Sequence, residues 1–294
     1  MRQMTSNQSN VPNAMLPRER ANWFDTEGNL YVSPITTPLS DSVVCFCVSQ
    51  IDRAPLDAFA DGAARNGIAS RVDRKPGNGE GYRLTIDRVE HVARELSLEL
   101  PYIRSQQKIV EIRAFLAHLS RVRTVKRESI SRALELASKW NLSTTPPKGA
   151  MLPMDRANWH ETEGCLSVGP HAFLSRSGAE LLVSQFELAP LQDFRAGCAR
   201  DGISCRVYQR EVESGTEYFV RIRRLDQIAC EVSREMPFLR TKKAFDQLRG
   251  LIDYIWMPRR RISKSVGIAR KVLRPGLMPE GPGQGVNVQS IEEY

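Results

Sequence analysis

Two glutamates, Glu27 and Glu163, close two nearly identical segments of this chain. The first reads Met-Leu-Pro-Arg-Glu-Arg-Ala-Asn-Trp-Phe-Asp-Thr-Glu from Met15, and the second Met-Leu-Pro-Met-Asp-Arg-Ala-Asn-Trp-His-Glu-Thr-Glu from Met151. Gly28 and Gly164 follow them. A carboxylate is a ligand for a hard divalent cation. A repeated unit implies internal pseudo-twofold symmetry, so whatever Glu27 does in the first half, Glu163 can do in the second. Other chemistries find less support. The histidines at 91, 118, 160 and 171 have no zinc spacing and suggest no triad, and the six cysteines contain no C-x-x-C pair. The Gly77 to Gly81 stretch lacks the Gly-Lys-Ser/Thr ending of a phosphate-binding loop and reads as a turn.

The duplication runs well past the motif. Val48-Ser49-Gln50 answers Val183-Ser184-Gln185, Ala54-Pro55-Leu56 answers Ala189-Pro190-Leu191, and Tyr82 answers Tyr218. Pro101-Tyr102-Ile103-Arg104 answers Pro237-Phe238-Leu239-Arg240. The offset between copies shortens by one residue before Val48 and recovers by Tyr82. A unit this long is a duplicated domain rather than a short solenoid repeat.

The elements that must position the two acids follow from local pattern. Pro17 suits a helix start and Gly28 its stop, giving a helix over 18–27. Strands follow at 29–33 and 42–51, then a helix at 55–65 with Leu56, Phe59, Ala60 and Ala63 at helical spacing. Residues 68–75 and 82–87 form a hairpin around the 77–81 turn. Helices at 89–98 and 105–119 follow, then an amphipathic helix at 129–140. The second half repeats the order. The expected class is α+β: two αββαββα domains, residues 15–142 and 151–273, each a four-stranded antiparallel sheet with helices on one face. A linker spans 143–150. Residues 1–14 read as a polar tail and 274–294 as a disordered one.

The 294 residues are 41% apolar, enough for two cores, and carry a net charge of +8. No apolar run is long enough for a membrane span, and the polar start argues against secretion. Cys45 and Cys47 read as core residues of a strand, and all six thiols as reduced, in an intracellular compartment, cytoplasmic, nuclear or organellar. The excess charge favours a polyanion partner. Strand alternation gathers it on the open sheet face: Arg71 and Lys75, then Arg83, in the first half; Arg206, Tyr208 and Arg210, then Arg221 and Arg223, in the second. Charge on an exposed face is often only solvation. Four strands carry this pattern, however, and a β-ribbon fits the major groove, where arginine reads phosphate and guanine edges. Arg259 to Arg261, Lys264, Arg270, Lys271 and Arg274 make a basic C-terminal stretch that could add phosphate contacts.

The segments from Arg20 to Gly28 and Arg156 to Gly164, with their small second residue, two acids and final glycine, resemble the motif of the LAGLIDADG homing endonucleases in their single-chain, two-repeat form. The resemblance covers roughly residues 15–125 and 151–260 and includes the element order. It implies a monomer whose two sheets form a saddle over a long pseudo-palindromic duplex. It also implies that the motif helices pack together, so that Glu27 and Glu163 lie side by side over the minor groove. Paired there, they would hold Mg2+, or Mn2+, for cleavage of both strands. By position, Gln50 and Gln185 would order water. Lys242, in the run Pro237-Phe238-Leu239-Arg240-Thr241-Lys242-Lys243, would approach the phosphate, with Gln106 as its uncharged counterpart, making the two cutting sites unequal.

The chain departs from the family pattern at Arg20 and Asn22, repeated as Arg156 and Asn158, where an aliphatic residue and glycine are usual. His160 replaces the aromatic Phe24, and Glu161 replaces Asp25. A cleavage-inactive DNA-binding regulator and a maturase acting on its host intron RNA are the alternatives.

Overall fold

Pro17 opens α1 (Pro17–Glu27) at a position whose N–H would have no helical partner anyway. Glu19 reaches back to accept the Leu16 N–H at 2.8 Å. The helix ends because the chain passes straight into β1 (Gly28–Val32) without a loop. A Cβ on Gly28 would sit 2.3 Å from Phe24 Cδ2 and 2.6 Å from the Phe24 carbonyl oxygen, so only glycine fits this junction. Glu27 is therefore fixed where helix becomes strand. Gly164 repeats the arrangement between α6 (Pro153–Glu163) and β5 (Gly164–Val168), with its virtual Cβ 2.4 Å from the His160 carbonyl oxygen.

The computed structural model describes residues 14–32, 44–75, 80–122, 128–140, 142, 149–169, 178–257 and 263–274. The first half continues with β2 (Val44–Gln50), α2 (Arg53–Arg65), β3 (Arg71–Arg74), β4 (Tyr82–Ile86), α3 (Val89–Glu99), α4 (Gln106–Val122) and α5 (Glu128–Ala137). The second continues with β6 (Ala179–Gln185), α7 (Leu188–Arg200), β7 (Arg206–Val212), β8 (Gly215–Ile222), α8 (Leu225–Glu235), α9 (Lys242–Trp256) and α10 (Lys264–Val272). The element order matches the expectation, although β3 is shorter. The 77–79 part of the expected turn, most of the linker, Arg259 to Arg261 and both expected tails (apart from residues 14 and 274) lie outside the described residues. Among those described, no helix is long and apolar enough to cross a membrane.

Each half is an antiparallel sheet, in order β1-β2-β4-β3 and β5-β6-β8-β7. Val44, Phe46 and Val48 of β2 and Leu84 and Ile86 of β4 face the helices and join Leu56, Phe59, Val92, Leu96 and Ile112 in one core. The two-residue period then sends the other positions to the open face. Cys45 and Cys47 lie there, paired with Tyr31 and Asn29; Cys47 is buried as expected, but Cys45 is only half-buried and neither joins the helix-facing side. The valines and Phe46 already fill that side. None of the six cysteines is in a disulfide.

Buried ion pairs explain the first motif departure. Arg20 is fully buried; its Nε donates to Glu95 Oε1 at 2.5 Å and its Nη1 to the Met15 carbonyl at 2.9 Å. Arg156 pairs in the same way with Glu231 at 2.5 Å and Met151 at 2.9 Å, and adds Asp201 at 2.7 Å. These arginines fasten each motif helix to α3 or α8 below it. They occupy the place of an aliphatic core residue, with every charge partnered as burial demands. Beside α6, Gly197 lets α7 approach so closely that a Cβ would meet the Met151 carbonyl oxygen at 2.3 Å; Gly62 does the same on α2.

The last helices are structural. α5 lies on α3, and Trp140 Nε1 donates to Ser97 Oγ at 2.8 Å. α10 lies on α8 through buried Val266 and Ala269. Arg270, expected to contact phosphate, instead bonds the carbonyls of Ile255 and Met257 at 2.9 and 3.0 Å. The end of α9 leaves those carbonyls unpaired by its own helix, and the arginine satisfies them.

The halves cap one another. Glu187 accepts the Gln106 and Gln107 N–H groups at 2.7 and 3.1 Å, at the start of α4. Asp52 accepts the Lys242 N–H at 2.7 Å, at the start of α9. Each acid satisfies the exposed donors and positive end of a helix in the opposite half.

Candidate active site

The motif helices α1 and α6 pack against each other. Asp155 is the hub of that contact: Arg18 Nε and Nη2 donate to it at 2.7 and 2.5 Å, Asn22 Nδ2 at 3.0 Å and Arg104 Nη2 at 3.5 Å. Burial alone would raise the Asp155 pKa, but the hydrogen bonds from Arg18 and Asn22 prevail and hold it below the usual carboxylate range. Arg240 Nη2 to Glu19 at 2.7 Å is the pseudo-symmetric partner of this contact. Asn22 thus bonds across the crossing in place of the usual glycine. Asn158 makes no side-chain hydrogen bond among the described residues.

The second acid of each motif holds the next element in place. Asp25 accepts the Arg104 and Ser105 N–H groups at 2.7 and 3.2 Å, and Glu161 accepts those of Arg240 and Thr241, the latter at 2.6 Å. Burial pushes both carboxyls up to about 7. His160 takes the place of Phe24 by bonding Glu235 Oε2 through Nδ1 at 2.7 Å. Burial depresses its pKa to about 4, so the ring is neutral.

Glu27 and Glu163 end the two crossing helices, half-buried. Burial and, second, the charge of Glu27 push Glu163 up to about 7, against Lys243. Burial raises Glu27 as well, against Lys75 and Lys243. Two carboxylates that resist joint ionisation are a place where added positive charge is favourable. A divalent cation fits them.

The lysine beside the acids is Lys243, not Lys242. Its Nζ donates to the Gly164 carbonyl at 3.0 Å. Lys242 is 71% exposed, with Nζ 2.5 Å from Asp246 of its own helix. Consecutive helix residues point about 100° apart, so one position decides which lysine faces inward. The first half also has such a lysine. Lys108 Nζ reaches the Gly28 carbonyl at 2.5 Å and Glu111 at 3.1 Å. It comes from the residue after the one aligned with Lys243, which is why comparing the copies did not find it. Lys243 lowers the pKa of both acids, whereas Lys108 is buried and paired with Glu111, so the two sides differ, though through Lys243 rather than Lys242.

Gln50 and Gln185 occupy equivalent strand ends, and each side-chain oxygen accepts the next backbone N–H, from Ile51 and Phe186, at 2.7 Å. That bond leaves each amide nitrogen as the outward donor.

The open faces carry the expected arginines, but acids accompany them. Arg71 pairs with Asp87 at 2.9 Å and Asp73 at 3.2 Å. Glu180 lies 2.7 Å from Arg221 and 3.4 Å from Arg223, and Glu217 2.5 Å from Arg210. Arg83 and Arg206 are exposed and have no carboxylate partner among the described residues. Lys75 lies close enough to Glu27 to lower its pKa. Tyr208 stacks on Phe219, a residue the sequence reading overlooked, with ring centroids 5.5 Å apart.

No protein-family model matches the chain, and no curated protein sequence does. Solved structures do match. The meganuclease I-SmaMI bound to uncleavable DNA with a TTGT central four superposes with a TM-score of 0.58 at 13% identity, covering 91% of this chain and 98% of that one. The LAGLIDADG homing endonuclease I-GzeII in complex with its DNA target gives 0.57 at 11%, covering 89% and 99%. The LAGLIDADG meganuclease I-AabMI bound to uncleaved DNA gives 0.56 at 14%, covering 88% and 98%. The chain has the two-domain α+β fold of the LAGLIDADG homing endonucleases.

Proposed function

We propose that this chain is a monomeric, divalent-metal-dependent endonuclease that cuts both strands of a long pseudo-palindromic DNA site across the minor groove. The observation that carries the reading is that Glu27 and Glu163 end the packed helices α1 and α6, close enough for the charge of Glu27 to raise the Glu163 pKa. Among the described residues no cluster of three or more His, Cys, Asp or Glu side chains is placed to hold a metal. A cation here would rest on these two acids and complete its shell with phosphate and water, a pattern that suits magnesium or manganese. When bound, it supplies Lewis-acid activation of phosphate oxygens.

The chain's own residues supply the rest. Lys108 and Lys243 grip the glycine carbonyls after the two acids, and Lys243 places positive charge beside the reacting phosphates. Gln50 and Gln185 offer amide N–H groups to order water. Arg83 and Arg206, with Arg71, Lys75, Arg210, Arg221 and Arg223, contact phosphate or base edges, and Tyr208 adds an apolar contact. The similar structures are bound to DNA, which favours duplex DNA over an intron transcript. Free thiols and a DNA substrate suit an intracellular, reducing setting.

Selection of cleaved duplexes from a random library, with magnesium and with EDTA, tests the proposal. Cutting should require the metal. Glu27→Gln or Glu163→Gln should abolish it while duplex binding survives. Full cutting by the double variant would refute the site, and a wild-type chain that binds but never cuts would be a regulator.

A further inference from the structure

The two open faces differ at equivalent positions. On the second sheet, Tyr208 of β7 pairs in register with Phe219 of β8, and their rings lie 16° from parallel. Arg221 sits over both, 5.6 Å from the Tyr208 centroid and 5.0 Å from that of Phe219, and Arg210 lies 5.9 Å from Phe219. Leu182 of β6 pairs with Arg221 and lies diagonal to Phe219 on the same face. All three apolar residues are part-exposed. Glu180 and Glu217 hold the two arginines, so both guanidinium groups are kept against the ring pair. On the first sheet the corresponding residues are Cys47, Asp73 and Arg83.

We infer that Leu182, Tyr208 and Phe219 form a rigid apolar reader of thymine methyl groups in the major groove, confined to the half-site under the second domain. The inference rests on the DNA-binding reading proposed above. The thymine 5-methyl is the one apolar group that base pairs present in the major groove, and apolar side chains recognise it there. A solvated sheet face has no need of two stacked rings and a leucine. An immobilised ring pair can bury a methyl group with little loss of side-chain entropy. The first sheet, with Asp73 and Arg83, offers hydrogen bonds and charge instead. The two halves would therefore read chemically different half-sites despite their common scaffold.

The test selects duplexes bound by the full chain from a random library, then replaces thymine by deoxyuridine in one half-site at a time. This removes only the methyl and leaves every hydrogen bond intact. Replacement in one half-site should weaken binding by about fourfold per contacted methyl, the factor for burying one such group. The Tyr208→Ser/Phe219→Ser variant should lose that sensitivity; Asp73→Ser/Arg83→Ser should keep it. Deoxyuridine tolerated equally in both half-sites would overturn the inference while leaving DNA binding intact. Enrichment of no duplex at all would overturn the DNA-binding reading and the inference with it. Because the decisive change is made in the DNA, a variant that fails to fold cannot hide the answer.

Discussion

At the scale of single residues, the Glu163 carboxyl sets a pH dependence. Its folded pKa is raised to about 7, above its ordinary value, by burial and by Glu27. The folded chain therefore binds more protons than the unfolded one between the two values. The stability this group contributes is complete at acid pH and is lost as pH rises through about 7. A cation competes with that proton. Cleavage and magnesium affinity should both rise from pH 6 to 8, and magnesium should restore the melting temperature lost at the alkaline end. Glu27→Gln should lower the Glu163 pKa, measurable by carboxyl NMR; an unmoved value would mean that the two acids do not sense each other. Lys243→Met should cut the cleavage rate by about 100-fold, as loss of a charge-stabilising donor does, whereas Lys242→Met should leave it unchanged. The sequence carried the acids, because duplication marked them. It did not carry the choice between neighbouring lysines, which turns on helix phase, or the use of Lys108 in place of Gln107.

At the scale of elements, each motif helix depends on one buried ion pair and one glycine junction. Arg20→Met should leave Glu95 buried beside Glu99 without its cation, at a cost of about 3–5 kcal/mol in denaturant unfolding. A loss below about 1 kcal/mol would show that the pair does not anchor α1. Gly164→Ala forces a Cβ into the His160 carbonyl and should destabilise by about 1–3 kcal/mol, while shifting the Glu163 carboxyl. Strand and helix order were legible from Pro17, Gly28 and the two-residue alternation. The role of Arg20 was not, because Glu95 lies far along the chain, and an arginine in a motif looks like an exception until its partner is known. Likewise the acids that accompany Arg210 and Arg221 come from other strands, and Asp87, one of the two beside Arg71, from beyond a strand's end. Composition therefore overstated the positive charge of the open faces.

At the scale of the whole molecule, the halves are joined by charge as much as by packing. Asp155→Ala removes the acceptor shared by Arg18, Asn22 and Arg104. Thermal unfolding should then separate into two transitions, one for each core, and cutting should fall with binding of a single half-site retained. One unchanged cooperative transition would locate the coupling elsewhere, in the Asp52 and Glu187 caps.

Those reciprocal caps have an ancestral consequence. The first half already owns both sides of the junction: Asp52 to seal a neighbour's helix start, an Arg104 for the Glu19 of a twin, and a Gln106 N–H to receive a borrowed acid. Residues 15–142 produced as a separate polypeptide should accordingly pair with themselves, with light scattering reporting twice the protomer mass. Such a homodimer would favour perfect palindromes, the substrate from which a fused and diverging descendant could afterwards drift.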